Sequence, residues 1–545
     1  MSDNAKVVII GLDGATFRVL RPLIESGVMP TLAKMVRDGA SGTLMSTHPP
    51  VTCPAWPTMF TGVNPGKHGV FSFTCRGRGR PHTASLVDVA SPTIWDILSK
   101  GGRRCAVLNV PITYPAQKLN GVMLSGFPAP ESSGDVVWPR EGFADLQRAL
   151  PTFRVNWPGI PHARQPDEQA ARVVRSANDW LRARIESFEY VLDREPFDFG
   201  FVVFEYPDKL QHAFYPVLDP ACGESRADNA NLLRALHEGF RTIDRAIEGL
   251  MRRFGEAANY MIVSDHGFGP VRRVVYLNHL LEQHGLFTPR RSKAIVAKAA
   301  SMMKVPIAVR ARFGLGQDEP WHRLDTWASP LTNFARTKAF GGHQYEHAVY
   351  INAKRMGPNG IVADDEYDIV RRRIVDVLRQ AIDPKSGERI FAEVSTAQEV
   401  YCGDKLGDAP DVVFDLAPGY LVSSGIGLSM GLDGGFLRDA RSGDVRGYHL
   451  SDGVFIGYGP AFAAVTDINA SLLDVAPTSL ALMGVSATED MDGRVIDEAI
   501  KPDAVTTLER IAAEPGSSPE SSTDAVYSAE DEREITRRLA DLGYL

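Results

Sequence analysis

The chain has 545 residues, 44% of them hydrophobic and 9% aromatic, enough for a large core. Its formal net charge of −8 argues against general binding to a nucleic-acid backbone, and five cysteines with no CxxC spacing argue against a disulfide framework. No apolar run is long enough to span a bilayer, and Met1-Ser2-Asp3-Asn4-Ala5-Lys6 leads into a strand instead of a signal-type apolar segment, so a soluble cytoplasmic protein is expected.

Residues 6–10 form a short β-branched run, the pattern of a strand buried on both faces, and Gly11-Leu12-Asp13-Gly14 follows at once. Thr52-Cys53-Pro54 opens a segment with helix-starting character that runs on to Thr61-Gly62. Similar buried-strand runs occur at 105–108, 199–204, 260–263 and 412–414. Between them, residues 168–190 and 229–254 repeat apolar positions at three- and four-residue steps, which predicts helices. This alternation defines an α/β fold. Asp13 and Asp265 fall just past predicted strands, where open α/β sheets place their ligands.

Three regions look like additions. Residues 128–166 are rich in Pro, Gly and Trp, and residues 271–399 hold the basic stretch Pro289-Arg290-Arg291-Ser292-Lys293, the 321–327 segment and Tyr350-Ile351-Asn352. Both read as cap-like insertions in a catalytic domain spanning 1–500. Residues 501–545 read as a solvated linker around 514–522 and a charged helix, 529–542, whose spacing suits docking on the body.

Asp13, the Thr52 segment, Asp208-Lys209-Leu210-Gln211-His212, Ser264-Asp265-His266-Gly267 and Gly447-Tyr448-His449 carry the chemistry. Mixed Asp/His sets suit Zn, Mn or Fe, and two such ions can clamp the attacking and leaving oxygens of a phosphoryl displacement. Asp208 and His212, four apart, face the same way on a helix. Gly267 allows a sharp turn after the Asp-His pair. Thr52 needs a base or a metal to act as a nucleophile, and its plain alternative is an N-cap threonine. Thr58 and Thr61 would be carried away by a helix starting near Pro54. Cys53 competes, but Pro54-Ala55-Trp56 does not follow the CxPxR pattern of sulfatase cysteines. Thr52 is the better candidate. His48 and His68 are read as structural.

The ordered set resembles the alkaline phosphatase superfamily, most closely its type I phosphodiesterase/nucleotide pyrophosphatase branch. The matching pieces are Asp13, Thr52 through Gly62, Pro65-Gly66-Lys67-His68-Gly69, Pro207-Asp208 with His212, Ser264 to Gly267, and His449. Asp474-Val475-Ala476-Pro477-Thr478 and Met491-Asp492-Gly493-Arg494 also look like that superfamily's C-terminal signature, so the resemblance runs from about Lys6 to Arg494. It implies an α/β/α sandwich around a mostly parallel sheet, with an inserted cap. It implies two divalent ions, Zn first and Mn or Fe as alternatives. One would be held by Asp208, His212 and His449, the other by Asp13, Asp265, His266 and the Thr52 oxygen. The phosphoryl group of a small phosphoester would pass to Thr52 and then be hydrolysed.

One departure bears on substrate. Nucleotide pyrophosphatases usually have a phosphate-binding asparagine about twenty residues past the nucleophile, and an ungapped match places Phe73 there. Phosphate contacts would then come from the Cys53 N–H, Lys209 and His343, although surface solvation is the plainer reading of Lys209 and His343. Gly341-Gly342-His343 could form a pocket edge or simply a turn. A phosphoglycerate mutase-like phosphomutase shares the core but normally uses serine. A non-catalytic metal-binding protein explains the ligands but not the adjacent threonine. The sequence leaves oligomeric state open.

Overall fold

Nine strands assemble around the first apolar run. In chain order they are Val7–Leu12 (β1), Ala40–Met45 (β2), Cys105–Val110 (β3), Gly121–Ser125 (β4), Val137–Trp138 (β5), Phe199–Phe204 (β6), Asn259–Val263 (β7), Asp452–Tyr458 (β8) and Ile468–Ser471 (β9). The computed structural model describes residues 5–75, 82–131, 133–157, 159–160, 165–290, 292, 332–342, 346–357, 360–423, 425, 433–505, 508–512 and 526–541. His343, the 321–327 segment, the 514–522 linker, and Arg291 and Lys293 of the basic stretch lie outside the described residues.

The strands lie in the order β9-β2-β8-β7-β1-β6-β3-β4-β5. β1 is central and parallel to β6 and β7, with Ile9 level with Phe201 and Met261. β8 and the edge strand β5 run antiparallel to their neighbours; the remaining pairings are parallel. Every residue of β1, β3, β6 and β7 is buried. Both faces of the sheet are therefore covered, as the uninterrupted apolar runs require.

The predicted run 412–414 takes a different place. It forms Val412–Leu416 in a separate four-stranded sheet with Ala339–Gly341, Ala348–Ile351 and Phe391–Thr396. A short apolar run records burial but not which sheet it joins. This small sheet draws strands from both sides of residue 399. In another sheet, Gly267–Tyr276 pairs with Gly419–Ser423, Leu437–Asp439 and Gly447–Leu450.

The two long predicted helices are Asp167–Leu192 and Ala230–Phe254. The Asp167 carboxylate caps the second by accepting from the Asn231 and Leu232 amides at 3.1 and 2.8 Å. Residues 128–166 supply β5 and the helix Glu141–Ala149. Near the C-terminus, the helix Ala529–Asp541 buries Ile535 and Leu539, while the Tyr527 hydroxyl donates to the carbonyls of Ala84 and Pro128.

The helix Thr52–Thr61 is buried at every residue. Its Trp56 ring lies so close to β1 that a Cβ on Gly11 would come within 2.5 Å of it, which explains the glycine in Gly-Leu-Asp-Gly. At the other end, the Asp492 amide donates to the Gly62 carbonyl at 2.8 Å. The Asp492 carboxylate accepts from the Asn64 amide at 2.8 Å and pairs with Lys67. The 65–69 and 491–494 segments thus clamp this helix.

His68 is fully buried, with Nε2 3.0 Å from the Thr58 hydroxyl, while Nδ1 accepts from the Val70 amide at 3.2 Å. Burial pushes its pKa down to about 3. The unfolded chain takes up this proton first, so the stability held by neutral His68 is present above pH ~6.5 and lost as the pH falls towards 3. The contribution lost by pH 5 is on the order of 2 kcal/mol. Accordingly, His68→Gln is expected to lower Tm at pH 7 but to show a smaller further drop between pH 7 and pH 5 than the wild type. Thermal unfolding at both pH values checks this, and equal drops would refute it.

Candidate active site

Asp13 follows β1 directly, Asp265 lies two residues beyond β7, and Asp208 stands in the first turn of the helix Tyr206–Leu218 that follows β6. These strands are neighbours, so their carboxyl ends bring three carboxylates together. His212 sits one turn after Asp208 on the same helix. His266 follows Asp265, and His449 lies on Gly447–Leu450, level with Phe268 of the strand that begins at Gly267. Thr52 is the first residue of its helix. All seven side chains are no more than 3% exposed.

The plain alternative for Thr52 does not hold, and one expected structural detail differs. Thr52 does not cap the helix: Val51 holds the cap position, with no side-chain bond, and the Thr52 hydroxyl lies 3.1 Å from His266 Nε2. Gly267 does not make a sharp turn. It opens a strand, and a Cβ there would lie 2.2 Å from the Asp452 carbonyl oxygen.

The donor atoms form two groups that share His266: Asp13, Asp265 and His266, and Asp208, His266 and His449. His212 joins the second group, its Nε2 3.3 Å from Asp208 Oδ1 and 3.2 Å from His449 Nε2. Asp208 Oδ1 is 3.2 Å from His449 Nε2, and Asp265 Oδ2 is 3.2 Å from His266 Nε2. The His266 and His449 rings stack at 3.6 Å.

The histidine tautomers follow from their outer nitrogens. His212 Nδ1 is 3.1 Å from the Gly447 carbonyl, and His266 Nδ1 is 3.2 Å from the Gly267 carbonyl. A carbonyl accepts only, so these Nδ1 atoms carry protons, and in the neutral imidazole the Nε2 lone pair faces the carboxylates. Lone pair against carboxylate oxygen is repulsive until a cation lies between them. Asp13 Oδ1 and Asp265 Oδ2 are also buried and accept no hydrogen bond. This donor set fits divalent cations.

Electrostatics agree with the geometry. Burial, then the neighbouring Asp265 and Asp208, pushes the Asp13 pKa well up, and burial also raises Asp265. Burial works on Asp208 in the same direction, but opposing charge, Lys209 first, outweighs it and holds the carboxyl well below its usual range. Burial and then His266 drive His449 well below the usual imidazole value. The three carboxylates therefore compete for charge in a dry site, the condition a divalent ion relieves.

Of the expected substrate contacts, Lys209 is not a surface residue. Its side chain is only 5% exposed, its Nζ donates to Asp208 Oδ2 at 3.1 Å, and it lies 5.7 Å from the Phe127 ring centre. The apolar surroundings replace water around it, and Asp208 supplies the compensating charge. Cys53 is fully buried, and burial pushes its thiol pKa well up. Phe73 packs edge-on against Phe127 at 5.5 Å and offers no polar atom. The other threonine hydroxyls are engaged, Thr58 with His68 and Thr61 with the Pro57 carbonyl.

Three supporting contacts were not anticipated. The Gly14 amide donates to Asp265 Oδ1 at 3.0 Å, Ser46 Oγ donates to the Asp265 carbonyl at 2.6 Å, and Gln211 Nε2 donates to the Gly14 carbonyl at 2.7 Å. Only Gly14 and Gln211 adjoin a recognisable motif; Ser46 carries no local signal.

A mostly parallel α/β sheet with this Asp/His/Thr site at its carboxyl edge defines a phosphoester hydrolase of alkaline-phosphatase type. Residues 7–448 match the family model described as type I phosphodiesterase/nucleotide pyrophosphatase, and the chain belongs to that family. No curated protein matches it. Among solved structures, human ectonucleotide pyrophosphatase/phosphodiesterase 5 shares the fold at 12% identity and TM-score 0.50, with 91% of this chain and 100% of that one aligned. The murine protein gives 13% identity, the same coverages and TM-score 0.47. An inactive form of it in complex with AMP gives TM-score 0.49.

Asp265→Asn is expected to lower the divalent metal of the purified protein by about one ion per chain, measured by elemental analysis. Unchanged content would remove Asp265 from the ligand set.

Proposed function

We propose that the chain is a two-metal phosphoester hydrolase that works through a phosphothreonine at Thr52. The observation that carries this reading is the Thr52 hydroxyl, free of any capping role and 3.1 Å from Nε2 of His266, the residue shared by both donor groups. One cation would be held by Asp208, His212 and His449, the other by Asp13, Asp265, His266 and Thr52, with Zn as the first choice and Mn or Fe as alternatives. When bound, such a pair supplies positive charge to the entering and departing oxygens.

The residues of the chain do the rest. Thr52 Oγ1 forms a bond to phosphorus as the bond to the leaving alcohol breaks, and the alcohol departs with a proton. Water then breaks the phosphothreonine ester, returning the hydroxyl to Thr52 and releasing the phosphate product. The amides of Thr52 and Cys53, in the first helical turn, have no intrahelical acceptor and suit a non-bridging phosphate oxygen. With its proton on Nδ1, His266 can accept from the Thr52 hydroxyl at Nε2 until a bound cation takes that lone pair. The raised pKa of Cys53 keeps it a thiol, which favours Thr52 over Cys53 as nucleophile.

The substrate reading is a small phosphodiester, with weaker use of nucleotides because Phe73 replaces the expected asparagine. All five cysteines are free, which suits a cytoplasmic enzyme. Among the described residues no helix is long and apolar enough to cross a membrane.

Thr52→Ala is expected to keep its metal and lose roughly three orders of magnitude or more in kcat, with Thr52→Ser retaining part of the activity and Cys53→Ala mild. Acid-quenched turnover should yield a phosphorylated peptide containing Thr52. Near-normal turnover by Thr52→Ala would overturn the covalent route. In a separate comparison, kcat/KM should be higher for an aryl phosphodiester than for its monoester or a nucleotide diphosphate ester. A strong preference for the monoester would make the enzyme a phosphatase.

A further inference from the structure

A second mixed group of ligand-type side chains lies outside the catalytic cluster. His48 belongs to the loop that leads into Thr52, while Glu393 and Asp415 belong to the small inserted sheet. One donor atom from each lies within 4.8 Å of the other two. Glu393 and Asp415 are cross-strand partners on antiparallel strands, so their carboxylates share one face directly opposite each other. Like charges in that register repel. Among the described residues neither forms a salt bridge with lysine or arginine; His48, at 2.9 Å from Asp415, is the one basic partner.

Burial pulls the His48 imidazole down, yet the Asp415 carboxylate and then Glu393 raise its pKa above the usual value. Its Nδ1 and Asp415 Oδ1 are close, yet they do not have hydrogen-bond geometry, and both imidazole nitrogens are buried without a hydrogen-bond partner. Asp415 Oδ2 is already fixed by the Ser451 hydroxyl at 3.0 Å, which leaves Oδ1 facing His48. The Tyr401 hydroxyl donates to the His48 carbonyl at 2.5 Å and fixes the backbone of the same loop. One imidazole and two carboxylates, with one donor atom of each within 4.8 Å of the others, make up the donor set of a first-row divalent cation.

We propose that His48, Glu393 and Asp415 form a further divalent-cation site, separate from the catalytic pair, that fastens the loop entering Thr52 to the inserted sheet. The bridge joins elements far apart in sequence: the loop begins at Ser46, whose hydroxyl holds the Asp265 carbonyl, and ends at Thr52. An ion here would act on the nucleophile's placement, not on the reacting atoms.

The test is a count of bound Mn2+ by equilibrium dialysis of the metal-stripped full chain, comparing wild type with Glu393→Gln and Asp415→Asn. Each variant should bind one ion fewer than wild type. Glu393 is exposed, so its substitution leaves the fold intact and keeps the test valid if Asp415→Asn unfolds. Asp265→Asn should lose an ion independently, and combining it with Glu393→Gln should remove both. The readout is a difference, so it does not depend on how many ions the catalytic cluster holds. If Glu393→Gln, or a folded Asp415→Asn, binds as many ions as wild type, the proposal fails and protonated His48 is the counter-ion to the two carboxylates.

Discussion

Three buried carboxylates at adjacent strand ends repel one another, and relieving that repulsion organises the surrounding structure. Asp13 and Asp265 are raised by burial, while Asp208 is held low because opposing charge, Lys209 first, outweighs its burial. Such a cluster is costly to bury without compensating charge. His212 and His266, each with Nδ1 turned outward to a carbonyl, complete a site that is rich in donor atoms. A rigid scaffold is needed to hold it, and the ends of the fully buried strands β1, β6 and β7 supply one.

The proposed nucleophile, Thr52, is delivered by a different logic. Its helix is gripped along its whole length by apolar packing, with Trp56 against Gly11, and at its end by Asp492. Thr52 therefore has little freedom relative to β1, which also carries Asp13. Placing the hydroxyl and the first carboxylate on parts that pack directly together fixes their separation to the precision that phosphoryl transfer needs. Lys209 adds a second layer, holding Asp208 from a position where water would otherwise compete.

Much of this was legible in the sequence because strand ends and short spacings leave local signals. Asp13 and Asp265 follow apolar runs, and Asp208 and His212 share one helical turn. The Gly62 to Gly69 and 491–494 segments were legible only as a family pattern; their mutual clamp joins residues more than 400 positions apart, which periodicity does not record. Lys209 was misread because a lysine's burial depends on the partner it finds, here a carboxylate one residue away and an aromatic ring from a distant loop. Gly267 was misread because close backbone approach and turn formation call for the same residue. The strand at 412–416 was legible as a strand, but its sheet was not, since apolar content carries no address.

β8 lies between β2 and β7, near the middle of the sheet, yet it comes from residues 452–458. During synthesis β2 emerges roughly 400 residues and β7 roughly 190 residues before the strand that separates them, so the edges that β8 will join stay open over that interval. His449, three residues before β8, reaches its place only when that late strand inserts. A nascent chain therefore cannot assemble a working site early, and its exposed edges would be the places where a holding chaperone would matter most.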